Sequence, residues 1–299
     1  MLSESSLYQE LRERLSMEKL FLADKPEETL DSTLYALWHA AAGQPLSAEL
    51  AAARDLPQLQ AQQESILFQL IEQRLSGRPL AHLTARQHFM NLEMLASPMA
   101  LIPRKETELL GWNALKLAQQ LAEEKKPVTI IDVCTGSGNL ALAMAHYAPD
   151  SRVLASDLSE SAVEFARLSA NHLNLALRVE FRCGDLMQPF DEPELLGQVD
   201  LLICNPPYIT SAKVGQMPNE ISAHEPKLAF DGGPFGVAIL MRLIQEAPRY
   251  LRQGGWLAFE VGLGQGAALA KRLEKNPDFS EVRPIVDAGG DIRAITARR

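Results

Sequence analysis

The sequence predicts an α/β protein: a doubly wound sheet from about residue 106 to the C-terminus, preceded by a small helical bundle. Three observations predict it. After residue 127, short runs that are apolar almost throughout alternate with longer stretches of helical period, as expected where helices cover both faces of a parallel sheet. Before residue 106, apolar residues recur at helical spacing, with breaks at 25–26, 43–45 and 56–57. A length of 299 residues suits one domain of about 200 residues plus a smaller one, and 46% hydrophobic with 22% charged residues is ordinary globular composition.

In order along the chain, LYALWHAAAG (34–43) and ESILFQLIEQRL (64–75) mark a bundle of about four helices over residues 1–76. Gly77 stops the last of them. HFMNLEMLASPMALIPR (88–104) alternates around Ser97-Pro98, which predicts a β-hairpin within a linker over 77–105. Helical period resumes at 106–124, opening the main domain (106–299). Strands are expected at 128–134, 152–157, 178–183, 199–205, 254–262, 282–286 and 292–297, with helices at 140–148, 161–173, 236–251 and 265–275.

The formal net charge of −9 argues against a broad phosphate-binding surface, since Lys and Arg supply most nucleic-acid affinity. Direct nucleic-acid binding is not expected. Cys134, Cys183 and Cys204 lie in apolar runs without C-x-x-C pairing and read as reduced, buried thiols; no metal site is expected, and His82 and His88 lack ligand spacing. The N-terminus has no signal pattern, and no apolar run approaches the roughly 18 residues that span a bilayer. The cytoplasm is the expected location.

In a doubly wound sheet, ligands bind beyond the carboxyl ends of strands near the switch point. The first strand ends IIDVCTGSGNLAL: Asp132 leads through Thr135 into Gly136 and Gly138, which permit a tight turn and close approach to the backbone before a helix at about Asn139. The third glycine of the dinucleotide fingerprint and a Lys-Ser/Thr clamp are both missing. The second strand ends at Asp157, followed by Leu158, where a carboxylate can accept from both ribose hydroxyls. The third ends CGDLM, placing Asp185 before Leu186 to accept from an adenine amino group. The fourth ends on Asn205-Pro206-Pro207-Tyr208. Singly, these read as ordinary turns and helix caps; in this order they fit an adenosine-bearing ligand without a phosphate tail.

DVCTGSG, then SD, GDL and NPPY, with LIPRKETE upstream, resembles the HemK-type protein-(glutamine-N5) methyltransferases that modify translation release factors. The similarity runs from about Gly77 nearly to the C-terminus. It implies a Rossmann-like class I methyltransferase sheet, S-adenosyl-L-methionine as cofactor, and a protein substrate whose target is most often the Gly-Gly-Gln segment of a release factor. It also implies a helical N-terminal domain for substrate recognition. Asp132, Thr135, Gly136, Gly138, Asp157, Leu158, Asp185, Leu186 and Asn205 are then the expected cofactor-binding residues.

The NPPY turn suits amide chemistry. A primary amide nitrogen is a poor nucleophile and needs positioning. The Asn205 side-chain oxygen and the Pro206 carbonyl are two acceptors for its two hydrogens. Pro206 and Pro207 fix the backbone direction in advance, and Tyr208 supplies a flat wall. These four are the expected catalytic residues, and Asn205, Pro206 and Tyr208 also bind substrate. Arg104 is expected to contact the substrate peptide or close the cofactor site, with an ion pair to Glu106 or Glu108 as the ordinary alternative. In His224-Glu225-Pro226, Glu225 is expected to shape the substrate mouth and His224 to be structural.

Four rival readings remain open on sequence. A nucleic-acid amino methyltransferase faces the same geometric problem, but the acidic charge opposes it. CTGSG and PNE…HEP are shared with enzymes that methylate a glutamine of a large-subunit ribosomal protein. Phe235 and Gly236 depart from the Asp-Gly-Leu usual in the family, which leaves room for a specialised peptide or small-molecule N-methyltransferase. A non-catalytic module that only binds the cofactor is opposed by the intact NPPY.

Overall fold

A computed structural model describes residues 4–17 and 25–299, which form two compact units. The first unit gathers Met1–Pro98, Ile102–Lys105 and Pro218–Glu225. It contains helices α1 (Glu4–Ser16), α2 (Leu30–Ala41), α3 (Ala48–Ala52), α4 (Ala61–Leu75) and α5 (Leu80–Thr84), then strands β1 (Arg86–Phe89) and β2 (Leu92–Leu95). Thr29 and Ser32 start α2 with a reciprocal capping box, satisfying two backbone donors. Leu11, Leu34, Leu37, Leu67 and Ile71 are wholly buried at helical spacing, and the Trp38 indole N–H donates to the Pro57 carbonyl at 2.8 Å.

The hairpin turns at Met90 and Asn91, both with positive φ (47° and 60°), and not around Ser97-Pro98 as the sequence suggested. A two-residue turn of this hand matches strand twist. Asn accepts the left-handed region more readily than most residues, whereas Pro98 brings no donor to a ladder.

The second unit comprises Met99–Leu101, Glu106–Met217 and Pro226–Arg299. Its elements are α6 (Thr107–Glu124), β3 (Val128–Val133), α7 (Asn139–Tyr147), β4 (Ser151–Asp157), α8 (Glu160–His172), β5 (Val179–Cys183), β6 (Val199–Cys204) and α9 (Ser211–Val214). The chain then contributes α10 (Asn219–Ser222) to the first unit and returns with α11 (Ala238–Tyr250), β7 (Leu251–Glu260), α12 (Gly266–Glu274), β8 (Glu281–Val286) and β9 (Ile292–Arg298).

Seven strands form one sheet in the order β5-β4-β3-β6-β7-β9-β8. The pairs from β5 to β7 are parallel, and β9 runs antiparallel to both β7 and β8. The sheet is therefore mixed. The segment joining β8 to β9 is too short for the helical crossover that a parallel pair requires. Burial explains the apolar strands: every residue of β6 is buried, and Ile131, Leu202 and Phe259 are fully excluded from solvent. The chain winds from β3 outward to β5, then crosses to place β6 on the other side of β3. That reversal puts the carboxyl ends of β3 and β6 beside each other, with Val133 registered against Cys204. This is the switch point.

Candidate active site at the switch point

The glycine turn after β3 is built by backbone conformation. Cys134, Gly136 and Gly138 all have positive φ (57°, 55° and 82°), and Gly138 directly precedes α7. A Cβ on Gly138 would lie 3.1 Å from the Ala166 Cβ and 3.3 Å from Leu142 and Phe181, so that glycine is required by packing as well as by conformation. A Cβ on Gly136 would meet nothing within 4 Å. The turn thus has one filled side and one open side.

Asp132 anchors the turn from below. It is fully buried, with Oδ2 accepting from the Thr135 hydroxyl (2.6 Å) and from the Ala141 N–H (3.1 Å), while Oδ1 has no hydrogen-bond partner. Burial raises its pKa to about 7 against the lowering effect of those two bonds. Asp157, at the tip of β4, accepts from the Gly136 N–H at 2.8 Å through Oδ2 and from the Ser159 N–H at 2.9 Å through Oδ1. It ties two strand tips together, and each carboxylate oxygen keeps a second lone pair. Burial raises its pKa too, and the backbone bonds oppose the rise. Leu158 beside it is 57% exposed, an apolar surface next to the turn.

At the tip of β5, Asp185 is paired with Arg242 of α11, Nη1 to Oδ1 at 3.2 Å and Nη2 to Oδ2 at 3.0 Å. This fork leaves one lone pair on each oxygen for a further donor. Leu186 is buried, and its carbonyl accepts from the Ser156 hydroxyl at 2.7 Å, which fixes the segment against β4.

The NPPY turn follows β6. Asn205 Nδ2 donates to the Thr107 hydroxyl at 3.1 Å, and among the described residues nothing donates to its Oδ1 or to the Pro206 carbonyl. Pro206 is buried and Pro207 half-buried. The Tyr208 hydroxyl donates to Glu260 Oε1 at 2.9 Å, and its carbonyl accepts from Gln265 Nε2 at 3.0 Å. Gln265 also accepts from the Gly262 N–H at 2.9 Å. Ile209 is held on both sides, donating to the Phe230 carbonyl and accepting from the Gly232 N–H. The turn is rigid through its prolines and through these flanking bonds.

Glu260, Thr107 and Gln265 were not anticipated. Glu260 ends β7, the strand paired with β6, so the rule that points to the first four strand tips points equally to the fifth, in GGWLAFEVG. It is 2% exposed, accepts from Tyr208 at Oε1 while Oε2 has no hydrogen-bond partner, and burial raises its pKa to about 7. Burial, and then Glu260, push the Tyr208 hydroxyl well above its ordinary value.

Arg104 and Glu225 are brought together within the first unit, as a buried pair: Nη2 to Oε1 is 2.6 Å, and the other Glu225 oxygen accepts from the Ile102 N–H at 2.9 Å. Their charges serve each other. Glu106 pairs with Arg293 at 3.0 Å. Of the three cysteines only Cys204 is buried; Cys134 is half-buried and Cys183 exposed, because Cys183 ends the edge strand β5. No group of three or more His, Cys, Asp or Glu with metal-binding geometry occurs among the described residues, and no described helix is long and apolar enough to cross a membrane.

Known proteins share this architecture. Residues 113–233 match the model of the Methyltransferase small domain. The fold resembles the N-terminal domain of human METTL16 in complex with SAH (TM-score 0.52, 17% identity, 74% of this chain and 81% of that one). It also resembles the catalytic domain of hMettl16 in complex with the MAT2A 3'UTR hairpin 6 (TM-score 0.51, 15% identity, 68% and 74%). The sheet is that of a class I methyltransferase.

Relatives narrow the class. The chain is 37% identical to a release factor glutamine methyltransferase from Moorella thermoacetica over 78% of this chain and 79% of that protein. It is 35% identical to one from Bradyrhizobium diazoefficiens over 94% and 91%. It belongs to the release factor glutamine methyltransferase family.

Proposed function

We propose that this protein transfers the methyl group of S-adenosyl-L-methionine to the side-chain nitrogen of a glutamine in a peptide chain release factor, within the Gly-Gly-Gln segment. Family membership supports the reaction, and one observation carries the residue roles. The Asn205 nitrogen is committed to Thr107, so the oxygen is the atom available to a substrate. A primary amide needs two acceptors for its two hydrogens, and the Asn205 Oδ1 and Pro206 carbonyl are a pair of that kind on a backbone that proline holds stiff. Tyr208, locked at both its hydroxyl and its carbonyl, gives the planar amide a fixed face to lie against. Positioning lowers the entropic part of the barrier before any bond changes.

The residues present fit the cofactor. Gly136 leaves an open cradle at the strand tip, Asp157 has lone pairs for two ribose hydroxyls, and Leu158 offers an exposed apolar surface for a base. Asp185, although paired with Arg242, has acceptor capacity for an amino group, and the buried Leu186 fixes its backbone. Asp132 and Thr135 hold the turn in shape, and the Asp132 Oδ1 and the buried Ser137 hydroxyl are both without a hydrogen-bond partner there. When bound, S-adenosylmethionine supplies an electrophilic methyl group on a sulfonium. Residues 1–76 are read as a substrate-recognition domain, 77–105 as its link and 106–299 as the catalytic domain. Arg104 and Glu225 are read as shaping the substrate path by bracing backbone. The work takes place in the cytoplasm without direct nucleic-acid contact, in keeping with the net charge of −9.

Purified protein is incubated with labelled methyl donor and, separately, with a release factor, a release factor whose Gly-Gly-Gln glutamine is replaced, ribosomal proteins and nucleic acid. Label on the first alone, mapped to that glutamine, is the expected result. Label on a ribosomal protein or nucleic acid in preference overturns the assignment of substrate.

A further inference from the structure

Phe235 and Leu263 are apolar side chains that the proposed transfer leaves without a role, and they are 82% and 65% exposed. Each stands at the tip of a four-residue turn. In Gly233-Pro234-Phe235-Gly236 the Gly236 N–H donates to the Gly233 carbonyl at 3.0 Å, with proline where such a turn favours its fixed φ. In Gly262-Leu263-Gly264-Gln265 the Gln265 N–H donates to the Gly262 carbonyl at 3.0 Å, and Gly264 takes a positive φ of 83°. Both turns lie against Tyr208. A Cβ on Gly236 would overlap the Tyr208 carbonyl oxygen, and one on Gly262 would press on the Tyr208 ring at 3.0 Å, so these glycines let the backbone come close. One side chain joins all three pieces: Gln265 donates through Nε2 to the Tyr208 carbonyl at 3.0 Å and to the Gly236 carbonyl at 3.2 Å, and accepts at Oε1 from the Gly262 N–H at 2.9 Å.

The result is an apolar rim beside the NPPY turn, with its backbone fixed and its side chains uncovered. Single exposed apolar residues are common on protein surfaces. Two of them on turns braced to the same tyrosine are placed where a substrate chain must pass: a glutamine lying against Tyr208 brings its own neighbours with it, at about 3.8 Å from one Cα to the next. The Gly-Gly-Gln segment has no apolar side chain, so contact with the rim falls to the residues that flank it. We propose that Phe235 and Leu263 form a docking rim for the release factor, taking an apolar side chain from within a few residues of the target glutamine and so contributing to substrate choice. The proposal rests on the reading of NPPY as the glutamine-binding turn. An aromatic ring offers about 150–250 Å² for burial, and turns that are already rigid lose little freedom on docking. Phe235 is also a residue at which the sequence departs from the usual family pattern, a departure that the transfer itself does not explain.

The test measures kcat and KM for the release factor, S-adenosylmethionine affinity by calorimetry, and the urea midpoint, in wild type, Phe235→Ala, Leu263→Ala, Phe235→Leu and the double variant Phe235→Ala/Leu263→Ala. KM for the release factor is expected to rise about tenfold in Phe235→Ala and further in the double variant. Turnover number and cofactor affinity stay within about twofold, because binding shared by ground and transition states moves KM alone. Phe235→Leu recovers most of the loss, and the urea midpoint holds in every variant, since neither side chain is packed in the core. A second series replaces with serine, one at a time, the apolar residues of the release factor within about four positions of the target glutamine. One replacement should raise KM for wild type and leave KM of the double variant unchanged, as a direct contact requires. Unchanged KM in the double variant, a fall in kcat or cofactor affinity in place of the rise in KM, or independent effects at every substrate position overturns the proposal. Asn205→Ala separates the two readings. If it is inactive while the rim variants match wild type, only the rim fails; if it is fully active, the reading of the NPPY turn fails as well.

Discussion

Replacing the two glycines of the first strand's turn separates what the turn does for the fold from what it does for the ligand. Gly136→Ala puts a methyl group into open space, with nothing within 4 Å, at a φ of 55°. Its cost is the left-handed conformation alone, about 1–2 kcal/mol, partly offset by a stiffer unfolded chain. Gly138→Ala incurs the same conformational cost at φ 82° and also drives a methyl group to 3.1–3.3 Å from Ala166, Leu142 and Phe181. Overpacking of that kind adds about 1–3 kcal/mol, for a loss of about 2–5 kcal/mol. Urea unfolding with constant m-value reads both losses. Calorimetry with S-adenosylmethionine reads the other half: Gly136→Ala fills the cradle and loses cofactor affinity by at least about tenfold while staying folded. Equal destabilisation by the two variants, or wild-type affinity in Gly136→Ala, refutes the assignment of an open and a filled side.

Two further outcomes follow from the buried charges. Asp132 and Glu260 are acids raised to about 7 by burial, so the native state holds their protons more tightly than the unfolded chain does. Their contribution to stability is fully present below the ordinary carboxylate range and is lost as pH rises toward about 7, where it levels off. Unfolding free energies at about pH 5 and about pH 8 should differ by an amount that Asp132→Asn and Glu260→Gln each reduce, by up to on the order of 3 kcal/mol; an unchanged difference in both contradicts the burial argument. Glu225→Ala leaves the buried Arg104 guanidinium without this partner and should cost about 3–5 kcal/mol in urea unfolding, while the double variant Arg104→Met/Glu225→Met recovers much of it. No recovery in the double variant places the cost elsewhere than in this pair.

The parts of the fold visible in the sequence are those governed by local pattern. Strands β3 and β6 are buried on both faces, so their residues are apolar almost throughout, and α7 begins at Asn139 because two glycines precede it. The acidic and NPPY tips could be found because the strands that carry them were recognisable. What stayed hidden depends on partners far apart in the chain. Asp185 reads as a free carboxylate until Arg242, 57 residues on, is seen against it, and Arg104 and Glu225 are 121 residues apart. The antiparallel turn of β9 follows from a short connection whose consequence appears only once β7 is in place. Glu260 shows most plainly how such information is lost. One acidic residue closing an apolar strand looks unremarkable until the Tyr208 hydroxyl meets it.

The measurement that bears most directly on the reaction is a paired one: methyl transfer to the release factor and S-adenosylmethionine affinity, in Asn205→Ala and in Asp157→Ala. The account predicts that Asn205→Ala loses transfer with cofactor affinity nearly intact, whereas Asp157→Ala weakens cofactor binding itself. Equal loss of affinity in both variants, or transfer that survives without the Asn205 amide, contradicts it.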